Sequence, residues 1–180
     1  MRGAGAVVQR VKWTVTRLEL YAGSMAEEWR RGEFTISTDP DRLDIGMIHD
    51  YLSNASYWGM GRPIEIVRRS IENSLSFGVY RNTTQVGFAR VVTDYATFAW
   101  LADVFILPEV QRRGIGKWLI GVVVSHPRLP SLRRWILATR DAHGLYSQYG
   151  FTPLSAPARF MERLAERHQG TNARQEPPNS

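Results

Sequence analysis

Val104-Phe-Ile-Leu-Pro-Glu-Val-Gln-Arg-Arg-Gly-Ile-Gly-Lys-Trp-Leu-Ile120 decides the fold. Its first half is a β run that stops at Pro108. Its second half opens a helix whose apolar residues include Trp118, Leu119 and Val122. Gly114 and Gly116 stand at the join, where they let the backbone turn tightly and let a ligand come close. The first amides of a helix have no intrahelical partner, and the helix dipole is positive there. Arg112, Arg113 and Lys117 add cations at the same point. Together these features suit a pyrophosphate. Two other phosphate-binding loops fail on spacing. A dinucleotide fingerprint needs glycine where Leu119 stands, and a P-loop needs glycine at Gln111 and a hydroxyl at Trp118.

Outward from this turn the pattern alternates between strand and helix periods. Residues 77–81, 85–93 and 97–107 read as three strands joined by turns at Asn82-Thr83-Thr84 and Asp94-Tyr95-Ala96. Residues 33–38 form a shorter strand. Asp39-Pro40-Asp41 signals a helix start, and Leu43, Met47, Ile48 and Leu52 recur at helical spacing. Residues 56–63 are a loop, and Pro63 suits the first turn of a helix carrying Ile66, Val67, Ile71 and Leu75. After the 114–124 helix come a strand at 134–138, a short helix at 142–149 and a last strand or fraying end at 160–164. The order predicts a mixed α/β domain: a largely antiparallel sheet of six or seven strands flanked by about four helices.

Composition narrows the class. The chain has 180 residues, 43% hydrophobic and 22% charged, as expected of one globular domain with tails. No apolar run reaches the roughly 18 residues that span a bilayer. The absence of cysteine excludes disulfides, thiolate zinc sites and a cysteine nucleophile. The net charge is +6, but residues 1–24 carry Arg2, Arg10, Lys12 and Arg17 against Glu19 alone. Half of the basic excess therefore lies outside the body, which argues against a nucleic-acid surface. Residues 1–24 read as an extension ahead of Met25, with a transit peptide as the competing reading. Residues 25–165 read as the domain and 166–180 as a disordered polar tail. The expected compartment is the cytoplasm, with no membrane contact, and the expected state is a monomer or homodimer.

Two stretches carry a family resemblance. Gln111-Arg-Arg-Gly-Ile-Gly116 resembles the Q/R-x-x-G-x-G/A signature of the GNAT family of N-acetyltransferases. Leu145-Tyr-Ser-Gln-Tyr-Gly-Phe151 resembles that family's second marker, L-Y-x-x-x-G-F, and the element order over 33–164 resembles its fold. The resemblance implies acetyl-CoA as co-substrate, bound where two strands splay apart, and no metal. By motif matching, the backbone of Val104, Phe105 and Ile106 would pair with the pantetheine arm. Gln111, Arg112, Arg113, Gly114, Ile115, Gly116 and Lys117 would form the pyrophosphate turn. Tyr146 matches the family tyrosine that faces the thioester sulfur, where a phenol can act as general acid to the departing thiolate. The implied reaction is direct transfer of acetyl in a ternary complex to a primary amine of a small molecule, amino acid or peptide.

The base is less clear by resemblance. Family glutamates from two branches fall at Trp100 and at about Ala138, and neither is acidic. The remaining candidates are Asp94, Asp103, Asp141 and His143. Asp103 lies at odd offset from Trp100, so strand alternation puts it on the opposite face, paired with Arg90 or another cation if inward. Asp141 reads more readily as a helix N-cap than as a base. Tyr57 and Trp58 are expected to wall the acceptor amine, Arg62 to bind an acceptor carboxylate, and Asp94 to lie near the substrate. The missing glutamate leaves a second reading open: an acyl-CoA sensor or interaction module without turnover.

Overall fold

The computed structural model describes residues 26–129 and 131–164. The expectations for residues 1–24, Met25 and 166–180 lie outside the described residues. Six strands form one sheet in sequence order: β1 Glu28–Arg31, β2 Phe34–Ser37, β3 Leu75–Arg81, β4 Thr84–Thr93, β5 Phe98–Ile106 and β6 Arg134–Ile136. Neighbours from β1 to β5 are antiparallel, and β6 runs parallel to β5. The near-continuous apolar runs of β3 and β4 follow from burial on both faces of the sheet.

Helices α1 Ile45–Asp50 and α2 Ile64–Glu72 cover one face, with a π-helical turn Tyr51–Ala55 extending α1. Ile48, Leu52, Val67 and Ile71 pack there against Phe88 and Phe105. Asp44 caps α1 by accepting from the Met47 amide at 2.9 Å. Helices α3 Ile115–Val124 and α4 His143–Tyr146 belong to the other face, where Leu119, Ile120 and Val123 are buried with Phe77, Val79 and Leu101. Among the described residues, no helix is long and apolar enough to cross a membrane.

Two expected elements change places. The strand expected at 160–164 is absent: a 3-10 turn at Pro157–Arg159 precedes the segment, which has no regular structure, and Met161 is 98% exposed. Phe160 instead lies under the Arg134 guanidinium, 5.5 Å from its ring centre. The sixth strand is β1, whose Glu-Trp-Arg-Arg composition hid it. Only Trp29 turns inward, 6.4 Å from Phe77 and 5.7 Å from His126 between ring centres.

A bulge in β5 overturns the alternation expected for Asp103. Trp100 pairs with Val92, Ala102 with Arg90, and Phe105 with Phe88. Val92, Arg90 and Phe88 share a face, yet Trp100 and Phe105 are an odd number apart. One extra residue is therefore inserted, and Asp103 takes φ +51 there. The bulge brings Asp103 onto the same face as Trp100.

Candidate active site

The splay expected beside β5 is present. β6 pairs with β5 only at Phe98, Ala99 and Trp100, so among the described residues no strand lies beside β5 on that side from Leu101 onward. This open edge runs toward the turn before α3. Gly114 holds φ +76, which favours glycine, and no side chain caps the helix. A β-carbon on Gly116 would meet nothing closer than Ile106 Cγ1 at 3.9 Å, so the protein itself does not require glycine there. The Gln111 side-chain Nε2 donates to the Ile106 carbonyl at 2.7 Å and ties the end of β5 to the turn.

The cations around the turn are rearranged relative to expectation. Arg113 Nη2 pairs with Glu33 Oε1 at 2.7 Å, and its guanidinium sits 4.8 Å from the Phe34 ring centre. Bonds from Arg81 and Arg113 hold the exposed Glu33 carboxyl below its usual range. Arg31 arrives instead. Its guanidinium nitrogens lie 3.8 and 3.9 Å from where a β-carbon on Gly114 would sit. Its place on the unforeseen β1 is why the sequence reading missed it. Arg112 and Lys117 remain beside the turn and line the cleft.

Two cavities meet at Tyr146. The larger, about 860 Å³, runs along Val104, Phe105 and Ile106 to Gly114, Ile115, Gly116 and Lys117. The smaller, about 320 Å³, is bounded by Trp100, Asp103, Arg62 and Arg90. Tyr57, Trp58, Val104, Asp141, Ala142 and Tyr146 line both. Tyr57 bridges the cleft. Its hydroxyl accepts from the Arg140 amide at 2.9 Å, its ring lies under the Arg140 guanidinium at 3.9 Å, and Trp58 stacks on it edge-on at 4.9 Å.

The two tyrosines of the second marker differ in their hydroxyls. Tyr149 donates to the Lys117 carbonyl and pins α4 to α3. Tyr146 is only 8% exposed and its ring packs edge-on to Phe151 at 5.9 Å. Its hydroxyl has no hydrogen-bond partner among the described residues. Burial pushes the Tyr146 phenol up to about 12, with Tyr57 and Asp141 adding to the shift.

The other candidates separate by location. Asp103 Oδ2 accepts from Arg62 Nη1 at 2.9 Å and from Arg90 Nε at 2.6 Å. Asp141 does not cap α4; the Thr139 hydroxyl accepts the Ala142 amide, and Asp141 sits 3.9 Å from Arg140. His143 is exposed at the start of α4, outside both cavities. Asp94 also stands outside them. It accepts from the amides of Ala96, Thr97 and Phe98 and from the Thr97 hydroxyl, which holds its carboxyl well below the usual range.

Comparison with known proteins places the family. The family model for the acetyltransferase (GNAT) domain matches residues 72–153. A Gibberella zeae protein named as an acetyltransferase is 32% identical over 142 residues, covering 68% of this chain and 80% of the relative. A Xanthomonas campestris crystal structure described as an acetyltransferase of the GNAT family is 52% identical, with a TM-score of 0.72. The match covers 73% of this chain and 93% of that one. A Clostridium acetobutylicum acetyltransferase solved with acetyl-CoA shares the fold at 12% identity, TM-score 0.55, over 75% of this chain and 97% of that one. The chain belongs to the GNAT family of acetyltransferases and is an acyltransferase.

Proposed function

We propose that the protein moves an acetyl group from acetyl-CoA to a primary amine of a small molecule, amino acid or peptide, with both substrates bound together. The observation that carries this reading is the Tyr146 hydroxyl, on a buried ring, without a hydrogen-bond partner among the described residues, where the two cavities join. Acetyl-CoA supplies an activated acetyl group whose sulfur leaves as a thiolate. The open edge of β5 offers backbone groups to the pantetheine arm. The uncapped amides of α3, with Arg31, Arg112 and Lys117, hold the pyrophosphate. Proximity of the two substrates supplies much of the rate.

The high pKa of Tyr146 bears on its role. An ordinary thiol titrates near 8.5, so outright proton transfer from a phenol near 12 is uphill by about 5 kcal/mol. Tyr146 therefore acts as a hydrogen-bond donor that stabilises the developing thiolate. Asp141 is the acidic side chain that lines both cavities, and we assign it the amine's proton, directly or through water. The lack of an acid at Trp100 and Ala138 favours a second reading, an acyl-CoA sensor. Thiol release from acetyl-CoA across amino acids, peptides, polyamines and aminoglycosides separates the two. Amine-dependent release supports the enzyme; tight acetyl-CoA binding with no release on any amine supports the sensor.

A further inference from the structure

Three charged side chains meet in the smaller cavity. One oxygen of Asp103 serves both Arg62 and Arg90, and the three side chains are 3%, 20% and 14% exposed. Arg62 further reaches the Trp58 carbonyl at 3.5 Å, and Arg90 reaches the Ser74 hydroxyl at 3.2 Å. A guanidinium carries five N–H donors, so both keep donors unused by the described residues. One carboxylate against two guanidiniums also leaves a net positive charge in a largely desolvated place. Uncompensated charge there is costly, and one arginine would suffice to hold Asp103.

The cluster is built in advance of any ligand. The Arg62 carbonyl is tied to the Ser53 hydroxyl and lies 3.1 Å from His49 Nε2. Asp103 is held at positive φ by the bulge, and strained residues of this kind gather at ligand sites. Asp141 gives the cavity a negative pole beside Tyr146, while Arg62 and Arg90 give it a positive one. The half-exposed rings of Trp58 and Trp100 complete an apolar wall. Resting on the acetyl-transfer reading above, we propose that the acceptor is an amino acid or short peptide whose carboxylate is held by Arg62 and Arg90. A polyamine would bring its charges against like charges there.

The test uses matched acceptors: leucine, phenylalanine and a dipeptide, each beside its C-terminal amide, with spermidine as the cationic control. The expected result is thiol release with kcat/KM higher for each acid than for its amide. Arg62→Met should raise KM for the acids by about 10- to 100-fold, the range for losing a charge-assisted bond. The amides and acetyl-CoA affinity should stay within about two-fold, and Arg62→Lys should restore part of the preference. A purely structural cluster would weaken acids and amides alike, and that outcome overturns the inference. So does equal use of acids and amides, or a best acceptor of polyamine type, although both leave acetyl transfer standing. If no amine releases thiol, acetyl transfer falls and binding decides the inference. N-acetyl-phenylalanine bound by wild type but not by Arg62→Met, with its amide bound by neither, supports it; no binding overturns it.

Discussion

Tyr146→Phe separates chemistry from folding. The substitution keeps the ring and its edge-on packing against Phe151. It removes a hydroxyl that makes no protein hydrogen bond among the described residues, so no partner is left unsatisfied. The melting temperature should hold, since a hydroxyl that faces the cleft without a protein partner adds little to stability. The hydrogen bond to developing charge is worth about 1.5–3 kcal/mol, which at 1.36 kcal/mol per decade is about 10- to 150-fold in rate. The measurement is single-turnover thiol release at saturating acetyl-CoA, so that product release does not mask the chemical step. Acetyl-CoA affinity, read by calorimetry, should change by less than about two-fold. Because burial pushes the phenol up to about 12, Tyr146 keeps its proton throughout pH 6–9. The loss should therefore be the same across that window. A single-turnover rate equal to wild type at every pH, or a loss that tracks unfolding, refutes the assignment and leaves Tyr146 as a packing residue.

Three other outcomes follow from the geometry. Gly116→Ala should raise the melting temperature, because a β-carbon fits at 3.9 Å from Ile106 and alanine is favoured over glycine in a helix by up to about 1 kcal/mol. The same methyl faces the phosphate turn, so calorimetry should show weaker acetyl-CoA binding despite the gain in stability. Arg31→Ala should weaken acetyl-CoA by about two- to five-fold at low salt, with the difference shrinking as salt rises. His126 is buried, and desolvation lowers its pKa despite the Glu27 carboxylate nearby. Below its unfolded value of about 6.5 the unfolded chain takes up a proton that the folded chain resists, so stability is full near pH 7–8 and falls on acidification. His126→Gln should show a shallower fall in melting temperature from pH 7 to 5.5.

The middle of the sheet was legible because β3, β4 and β5 are apolar runs joined by short polar turns. The turns at 82–84 and 94–97 are local, and Asp94 satisfies its own neighbours' amides. Helix α1 was less legible. Asp39 caps only a 3-10 turn at Pro40–Arg42, and the helix proper starts under Asp44. Edge strands carry the weakest signal, since one side meets solvent. β1 was missed for that reason, and a strand was read into 160–164 on the strength of Phe160, Met161 and Leu164 alone.

The two sides of the reaction differ in how they are encoded. The proposed phosphate turn would work through backbone amides and a positive-φ glycine, so its chemistry is written in consecutive residues and survives reading in one dimension. The proposed acceptor cavity is assembled from side chains of four separated segments: Tyr57 to Arg62, Arg90, Trp100 to Val104, and Ala138 to Tyr146. Its decisive feature is a bulge that no local propensity favours. Aspartate at φ +51 in the middle of a strand persists because guanidiniums from positions 62 and 90 hold its carboxylate. Alternation alone sent Asp103 to the wrong face, and Arg62 alone suggested a carboxylate with nothing to orient it. Only the pairing across 41 and 13 residues turns these into one site. On the proposed reading, this chain announces its donor in a six-residue motif while its acceptor stays hidden until the strands are aligned.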